Sequence, residues 1–200
     1  MSKPNSEQPP LVPRSRREFL THASAGAAFL LTFTIDGCER KLTPAQARET
    51  NLPLRTLDPV AAATLEALGE ILLPGSARAG LAPYIDHQLS GNAADSLLML
   101  KYLRVDPPYR DFYLPGLTAA QAASLHEFGK PPADLDPEQG KALLTRISAG
   151  QIEGWRGPPA PLFYFVLRND AVDVMYGTPS GFETLGVPYM PHIMPPDGWG

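Results

Sequence analysis

The chain has 200 residues, which is enough for one domain with extensions. Its net charge of −4 argues against a nucleic-acid partner, because such proteins carry a concentrated basic surface. Its single cysteine excludes an internal disulfide framework, a thiolate zinc site and an all-cysteine iron–sulfur site within this chain. Its 23 prolines argue against long uninterrupted helices.

The N-terminal segment, residues 1–38, is interpreted as an export signal. A basic stretch precedes an apolar run over residues 23–35, which is the pattern of a secretory signal. That run of 13 residues is too short to cross a hydrocarbon core of about 30 Å. The residues that resemble the twin-arginine export motif are Arg16, Arg17, Phe19 and Leu20. Because that pathway moves folded proteins, the chain is expected to hold a cofactor or to travel with a protein that does.

The end of this signal has three open interpretations. Cys38 follows a glycine just after the apolar run and resembles a lipoprotein cleavage box, although Asp36 fits such a box poorly. Ordinary cleavage at the small residues Ala45 and Ala47 is the second interpretation, and a signal that stays uncleaved is the third. Lipidation of Cys38 would anchor the chain at a membrane surface.

After a linker over residues 39–57, the pattern over residues 58–175 predicts an all-α domain, a small irregular bundle of five to six short helices. Asp58 and Asp136 each precede a proline, which is the signature of a capped helix start. Thr118 and Gln121 have the spacing of a capping box. No stretch is interpreted as a strand. The predicted helices cover about 59–73, 83–89, 93–103, 119–128, 137–152 and 162–175.

Residues 176–200 are expected to form a proline-rich, extended C-terminal tail. The last 22 residues hold five prolines, which argues against a helix. The tail is nevertheless too apolar for a solvated disordered segment. It is expected either to wrap its own domain or to bind a partner, because aromatic residues and methionine are enriched in interface cores. The candidate binding residues are Tyr176, Phe182, Tyr189, Met190, Met194 and Trp199.

The sequence holds no pattern of a cofactor site. It has no glycine-rich dinucleotide fingerprint, no haem-attachment pair of cysteines and no Glu-x-x-His motif for a di-iron bundle. His87 follows Asp86 on a short predicted helix, but adjacent helical residues point about 100° apart, so the two do not form an orienting pair. His87 is therefore interpreted as a structural histidine, with a catalytic or metal-binding role as the alternative. His126 is expected to be exposed. We predict a chain without catalytic or metal-binding residues and without a cofactor of its own.

Three segments resemble the gluconate 2-dehydrogenase subunit 3 family, the small subunits of membrane-bound, flavin-dependent sugar and sugar-acid dehydrogenases. The segments are residues 64–75, residues 79–89 and the tail from 173–177 through 195–199. The resemblance implies a non-catalytic partner of a large flavoprotein of the glucose–methanol–choline type, often accompanied by a multihaem cytochrome c subunit. It also implies that the small subunit escorts the flavoprotein through the twin-arginine translocase, so that FAD, and haem where present, belong to the partners.

Two other readings of the chain remain. The first is a stand-alone periplasmic lipoprotein or binding module without a dehydrogenase partner, and the second is an enzyme with its own site around His87. In the favoured interpretation the chain is periplasmic, and it is held at the membrane through Cys38 or through its complex.

Overall fold

The computed structural model describes residues 30–35 and 38–186, which are mostly helical, as predicted. Arg16, Arg17, Phe19 and Leu20 of the export motif lie outside the described residues, as do Tyr189, Met190, Met194 and Trp199 of the tail. Eight α-helices lie within the described part: α1 Pro44–Glu49, α2 Pro59–Leu72, α3 Leu81–Ser90, α4 Met99–Tyr102, α5 Arg110–Phe128, α6 Pro137–Ala149, α7 Ala160–Tyr176 and α8 Pro179–Thr184.

A β-hairpin precedes the helices, and the expectation that the chain contains no strand is wrong. Strand β1, Leu31–Ile35, pairs antiparallel with β2, Cys38–Leu42, in a register that places Leu31 opposite Leu42. The sequence of β1 alternates apolar residues with threonine, a strand pattern that was hidden at the end of a longer apolar run. The hairpin therefore spans the junction of the predicted signal segment and linker.

Two helix starts were predicted correctly because local chemistry determines them. The carboxylate of Asp58 accepts a hydrogen bond from Ala61 N, and that of Asp136 accepts one from Gln139 N. In both helices a proline follows the cap, where its missing N–H costs nothing. These caps place α2 and α6, two of the helices that pack around α7.

The predicted capping box at Thr118 does not start a helix. Instead α5 runs from Arg110 to Phe128 with Pro115 inside it, and the Thr118 hydroxyl donates to Leu114 O one turn earlier. The Gln121 side chain accepts a hydrogen bond from Thr64 Oγ1 on α2, at 2.8 Å. The side chain of Gln121 thus joins α5 to α2, although the local sequence pattern assigned it to a helix cap.

The helix predicted over 93–103 is broken in the structure. A 3₁₀ turn covers Ala93–Asp95, and only α4 is α-helical. The intervening backbone donates to distant side chains: Leu97 N to Gln88 Oε1, and Met99 N to Asp170 Oδ1, each at 2.8 Å. These acceptors replace the bonds that a continuous helix would have made.

The core lies around α7, as predicted from its apolar first half. Phe163, Val166 and Leu167 are buried, and the Phe163 ring lies among the rings of α5. Gly116 on α5 gives the Phe163 ring its space, because a Cβ at that position would lie 2.3 Å from Phe163 Cδ2. The helix is not buried all round, however, and its exposed side leads to the candidate site.

Candidate partner interface

An apolar stripe runs along the exposed side of α7. Pro161, Phe165, Arg168 and Val172 follow one another at helical spacings of four, three and four residues, and all four are exposed. Phe165 keeps 39% of its surface in solvent and Val172 keeps 40%. The Arg168 guanidinium carbon lies 6.0 Å from the centroid of the Phe165 ring, within the range of a cation–π contact. Aromatic residues and arginine are the types enriched in interface cores.

A groove adjoins this stripe. It is an open depression of about 690 Å³ between α2, α6 and α7, with walls that include Ile71, Pro74, Leu135, Leu144 and Tyr164. Tyr164 lines the groove, and it lies three residues after Pro161 and four before Arg168, spacings that place it beside the stripe on α7. Lys141 and three carboxylates, those of Glu70, Asp136 and Glu138, also line it. The groove therefore combines apolar and charged side chains, as protein interfaces do.

The end of α7 is held by α8, so the prediction that no helix follows Tyr176 is wrong. The Thr178 side chain accepts a hydrogen bond from Gly181 N, and a proline follows this cap. Gly181 lies so close to α7 that a Cβ there would be 2.4 Å from Met175 O. Two candidate binding residues, Tyr176 on α7 and Phe182 on α8, are each half-buried at this junction.

A buried polar contact fixes α7 from the opposite side. The Asp170 carboxylate is fully buried, and it accepts hydrogen bonds from the Tyr113 hydroxyl on α5 and from Met99 N. Burial raises the pKa of Asp170 to about 7. The two hydrogen bonds lower this pKa, but their effect is smaller than that of burial. Burial also raises the pKa of the Tyr113 phenol well above its ordinary value. This contact joins three helices and orients the stripe of α7 outward.

Asp86 and His87 have structural contacts of their own. The Asp86 carboxylate accepts hydrogen bonds from three consecutive backbone N–H groups, those of residues 55–57, at 2.7–2.8 Å. His87 Nε2 lies 3.0 Å from Thr32 O, and its Nδ1 has no hydrogen-bond partner among the described residues. The two side chains therefore serve different contacts, as the helical geometry predicts. His126 is exposed, also as predicted.

Metal ligands and membrane helices were searched within residues 30–35 and 38–186. No group of three or more His, Cys, Asp or Glu residues is placed there to hold a metal ion. No helix in that part of the chain combines the length and the hydropathy needed to cross a membrane.

The structure brings some of the predicted residues together and adds others. Tyr176, the last residue of α7, and Phe182, on α8, lie on neighbouring helices and are both half-buried, whereas Cys38 is exposed at the start of β2. The stripe of α7 was missed because its helix is apolar on nearly every side, so sequence alone did not show which side stays in solvent. The spacing of Phe165, Arg168 and Val172 on one face was the available signal.

Comparison with known proteins gives one family. The model of the family described as Gluconate 2-dehydrogenase subunit 3 matches residues 59–195, from the start of α2 into the tail. No solved structure matches the chain.

Proposed function

The chain belongs to the gluconate 2-dehydrogenase subunit 3 family, and we propose that it is the non-catalytic small subunit of a periplasmic, flavin-dependent dehydrogenase for gluconate or another sugar or polyol. It stabilises the flavoprotein subunit and escorts it through twin-arginine export. The observation that carries this proposal is the family match over residues 59–195, since the family name denotes one subunit of a dehydrogenase complex.

The exposed side of α7 supports an accessory role. Phe165 and Val172 lie in solvent although similar side chains two positions away fill the core. Burying a fully exposed large apolar side chain contributes about 1.5–3 kcal/mol, so covering the exposed two fifths of each contributes about 1 kcal/mol per residue. The adjoining groove extends this surface. We propose that the flavoprotein, of the glucose–methanol–choline type, binds the stripe and the groove, and that the tail residues extend the contact.

The use of the buried acidic groups supports a role without catalysis. Asp86 accepts three backbone N–H groups, and Asp170 accepts the Tyr113 hydroxyl and Met99 N, so both carboxylates are engaged in holding elements together. We therefore place the chemistry on the partners, with FAD on the flavoprotein and haem on a cytochrome c subunit where the complex includes one.

The N-terminal motif supports the escort role. Arg16 and Arg17 supply the pair that the twin-arginine translocase reads, and this pathway accepts a partner that is already folded around its cofactor. Cys38 is exposed, which leaves its thiol accessible for acylation. We propose that cleavage before Cys38 and its lipidation then hold the complex at the periplasmic face of the membrane.

The proposal is tested by co-expression of this chain with a glucose–methanol–choline-type flavoprotein from the same organism. The tagged wild-type chain is expected to purify with a yellow, FAD-containing partner. The double substitution Phe165→Ser and Val172→Ser removes the apolar stripe and is expected to weaken binding at least tenfold, because about 1.4 kcal/mol corresponds to a factor of ten. The matched control changes Val60 and Leu125, which are exposed on α2 and α5, to serine.

Three results decide the matter. Loss of the partner in the stripe variant alone, with unchanged circular dichroism, supports docking on α7. Equal recovery of the flavoprotein by the stripe variant and the control contradicts docking on α7. A wild-type chain that purifies alone and stable contradicts the accessory role and favours the stand-alone lipoprotein.

A further inference from the structure

Strand β1 is docked on the helical domain as well as on β2. Leu31 is only 5% exposed and belongs to the hydrophobic core. Thr32 O lies 3.0 Å from His87 Nε2 on α3, and the Phe33 ring lies edge-on to the His87 imidazole with their centroids 5.1 Å apart. The Phe33 side chain also lines a small cavity with Leu54. Three consecutive residues of β1 thus have defined contacts with the rest of the fold.

Cys38 is the first residue of the strand that pairs with β1. Cleavage before Cys38 would therefore separate the two strands, with β1 on the released piece and β2 on the mature chain. The mature chain would then lose the apolar side chain of Leu31 from its core and the carbonyl that faces His87. The backbone of β2 would be left as an unpaired edge, which is a template for another extended segment.

We propose that removal of residues 1–37 opens a strand-binding site on this chain, and that an extended segment of a partner subunit met after export takes the place of β1. This inference rests on the export and the Cys38 processing of the proposed function. The occupant has the chemistry that β1 displays: a backbone that pairs with β2, an apolar side chain at the Leu31 position and an aromatic one at the Phe33 position. The carbonyl between them faces His87 Nε2. Such strand addition obtains affinity from main-chain bonds and specificity from alternate side chains.

The order of flavoprotein binding, export and signal cleavage indicates which subunit occupies the strand-binding site. An escorted flavoprotein binds before export, while β1 still fills this site, so its surface lies elsewhere, on α7. The site over α3 opens only when the signal is removed, and its occupant is a subunit that the chain meets in the periplasm. Signal cleavage then orders the assembly, because the second partner binds only to a chain that has already been exported.

The test uses the full chain, folded before it is cut. A protease site replaces Asp36 and Gly37, which stand between the two strands in the sequence, and the purified protein is nicked there. The probe is a fluorescein-labelled synthetic peptide of residues 30–36. The nicked protein is expected to exchange its own β1 for the peptide and to bind it saturably, whereas the uncut protein does not bind it. A peptide with Phe33→Ser is expected to bind at least tenfold more weakly.

A matched control peptide carries Thr32→Ser, since the Thr32 side chain is exposed and its carbonyl is retained. It is expected to bind like the original peptide. Equal binding of the Phe33→Ser peptide, absence of exchange, or unfolding of the nicked protein overturns the proposal, because each shows that β1 is not a replaceable occupant. The mass of the mature chain from cells is the second measurement. A mature chain that retains β1 overturns the strand site but leaves the α7 interface standing.

Discussion

The carboxyl group of Asp170 gives a quantitative prediction for the pH dependence of stability. It is fully buried between α5, α7 and the backbone of Met99, and burial raises its pKa from 3.8 to about 7. In the unfolded chain the same group titrates at its ordinary pKa. Between these two pKa values the native state binds the extra proton, so the free energy of unfolding falls as pH rises through 7. The stabilising contribution is complete below pH 3.8 and is lost above the folded pKa.

The size of the effect follows from the pKa shift. One proton contributes at most about 1.36 kcal/mol per pH unit. Integrated from pH 5 to pH 8 with the folded pKa at about 7, the loss attributable to Asp170 is about 2–3 kcal/mol. The variant Asp170→Asn cannot ionise, and its amide can still accept from Met99 N while donating to the Tyr113 oxygen. The variant is therefore expected to lack this part of the pH dependence.

The assay is urea unfolding at pH 5 and pH 8, followed by circular dichroism. Asp173 and Glu66 also have pKa values raised by burial, so the wild-type slope contains their contributions. The difference in slope between the wild type and Asp170→Asn gives the contribution of Asp170, and Asp173→Asn, on the same helix, gives that of Asp173 for comparison. A variant that loses as much stability as the wild type between pH 5 and pH 8 would refute the reasoning.

Three further substitutions probe other contacts. Asp86→Ala leaves three backbone N–H groups without their acceptor, and the loss at the buried Leu57 N alone costs about 1–3 kcal/mol. The variant is expected to lower the midpoint of urea unfolding, and an unchanged midpoint would contradict the role of this carboxylate. Gly116→Ala places a methyl group 2.3 Å from Phe163 Cδ2 and is expected to destabilise the fold by about 1–3 kcal/mol in the same assay, and a neutral result would show that the Phe163 ring can move. Gly181→Ala pushes α8 away from Met175 O. It is expected to weaken capture of the flavoprotein with little change in melting temperature, and undiminished capture would argue that α8 is not part of the interface.

Features fixed by neighbouring residues were predictable from the sequence. The aspartate–proline starts of α2 and α6 depend on contacts three residues apart, and the structure has both. The break before α4 was not predictable, because Met99 N donates to Asp170, 71 residues along the chain. No local pattern contains that partner.

The candidate site likewise has one part that the sequence predicts and another that depends on the packing of distant elements. The apolar character of α7 could be seen in the sequence, but which of its faces stays in solvent depends on how α5 and α6 pack against it. The hairpin was missed because β1 continues an apolar run that also fits a signal segment. Its strand structure depends on pairing with β2 and on the contacts of Leu31 with the core. The sequence of the apolar run alone carries no information about these contacts.

Export of a folded flavoprotein from the cytoplasm by this chain is tested most directly at the twin-arginine pair. Arg16 and Arg17 are both changed to lysine in a strain that co-expresses the flavoprotein, and dehydrogenase activity is measured in the periplasmic and cytoplasmic fractions. The change Arg14→Lys, just outside the pair, is the matched control. The double change is expected to leave active flavoprotein in the cytoplasm, while the control exports it. Undiminished periplasmic activity in the double variant would contradict the escort role.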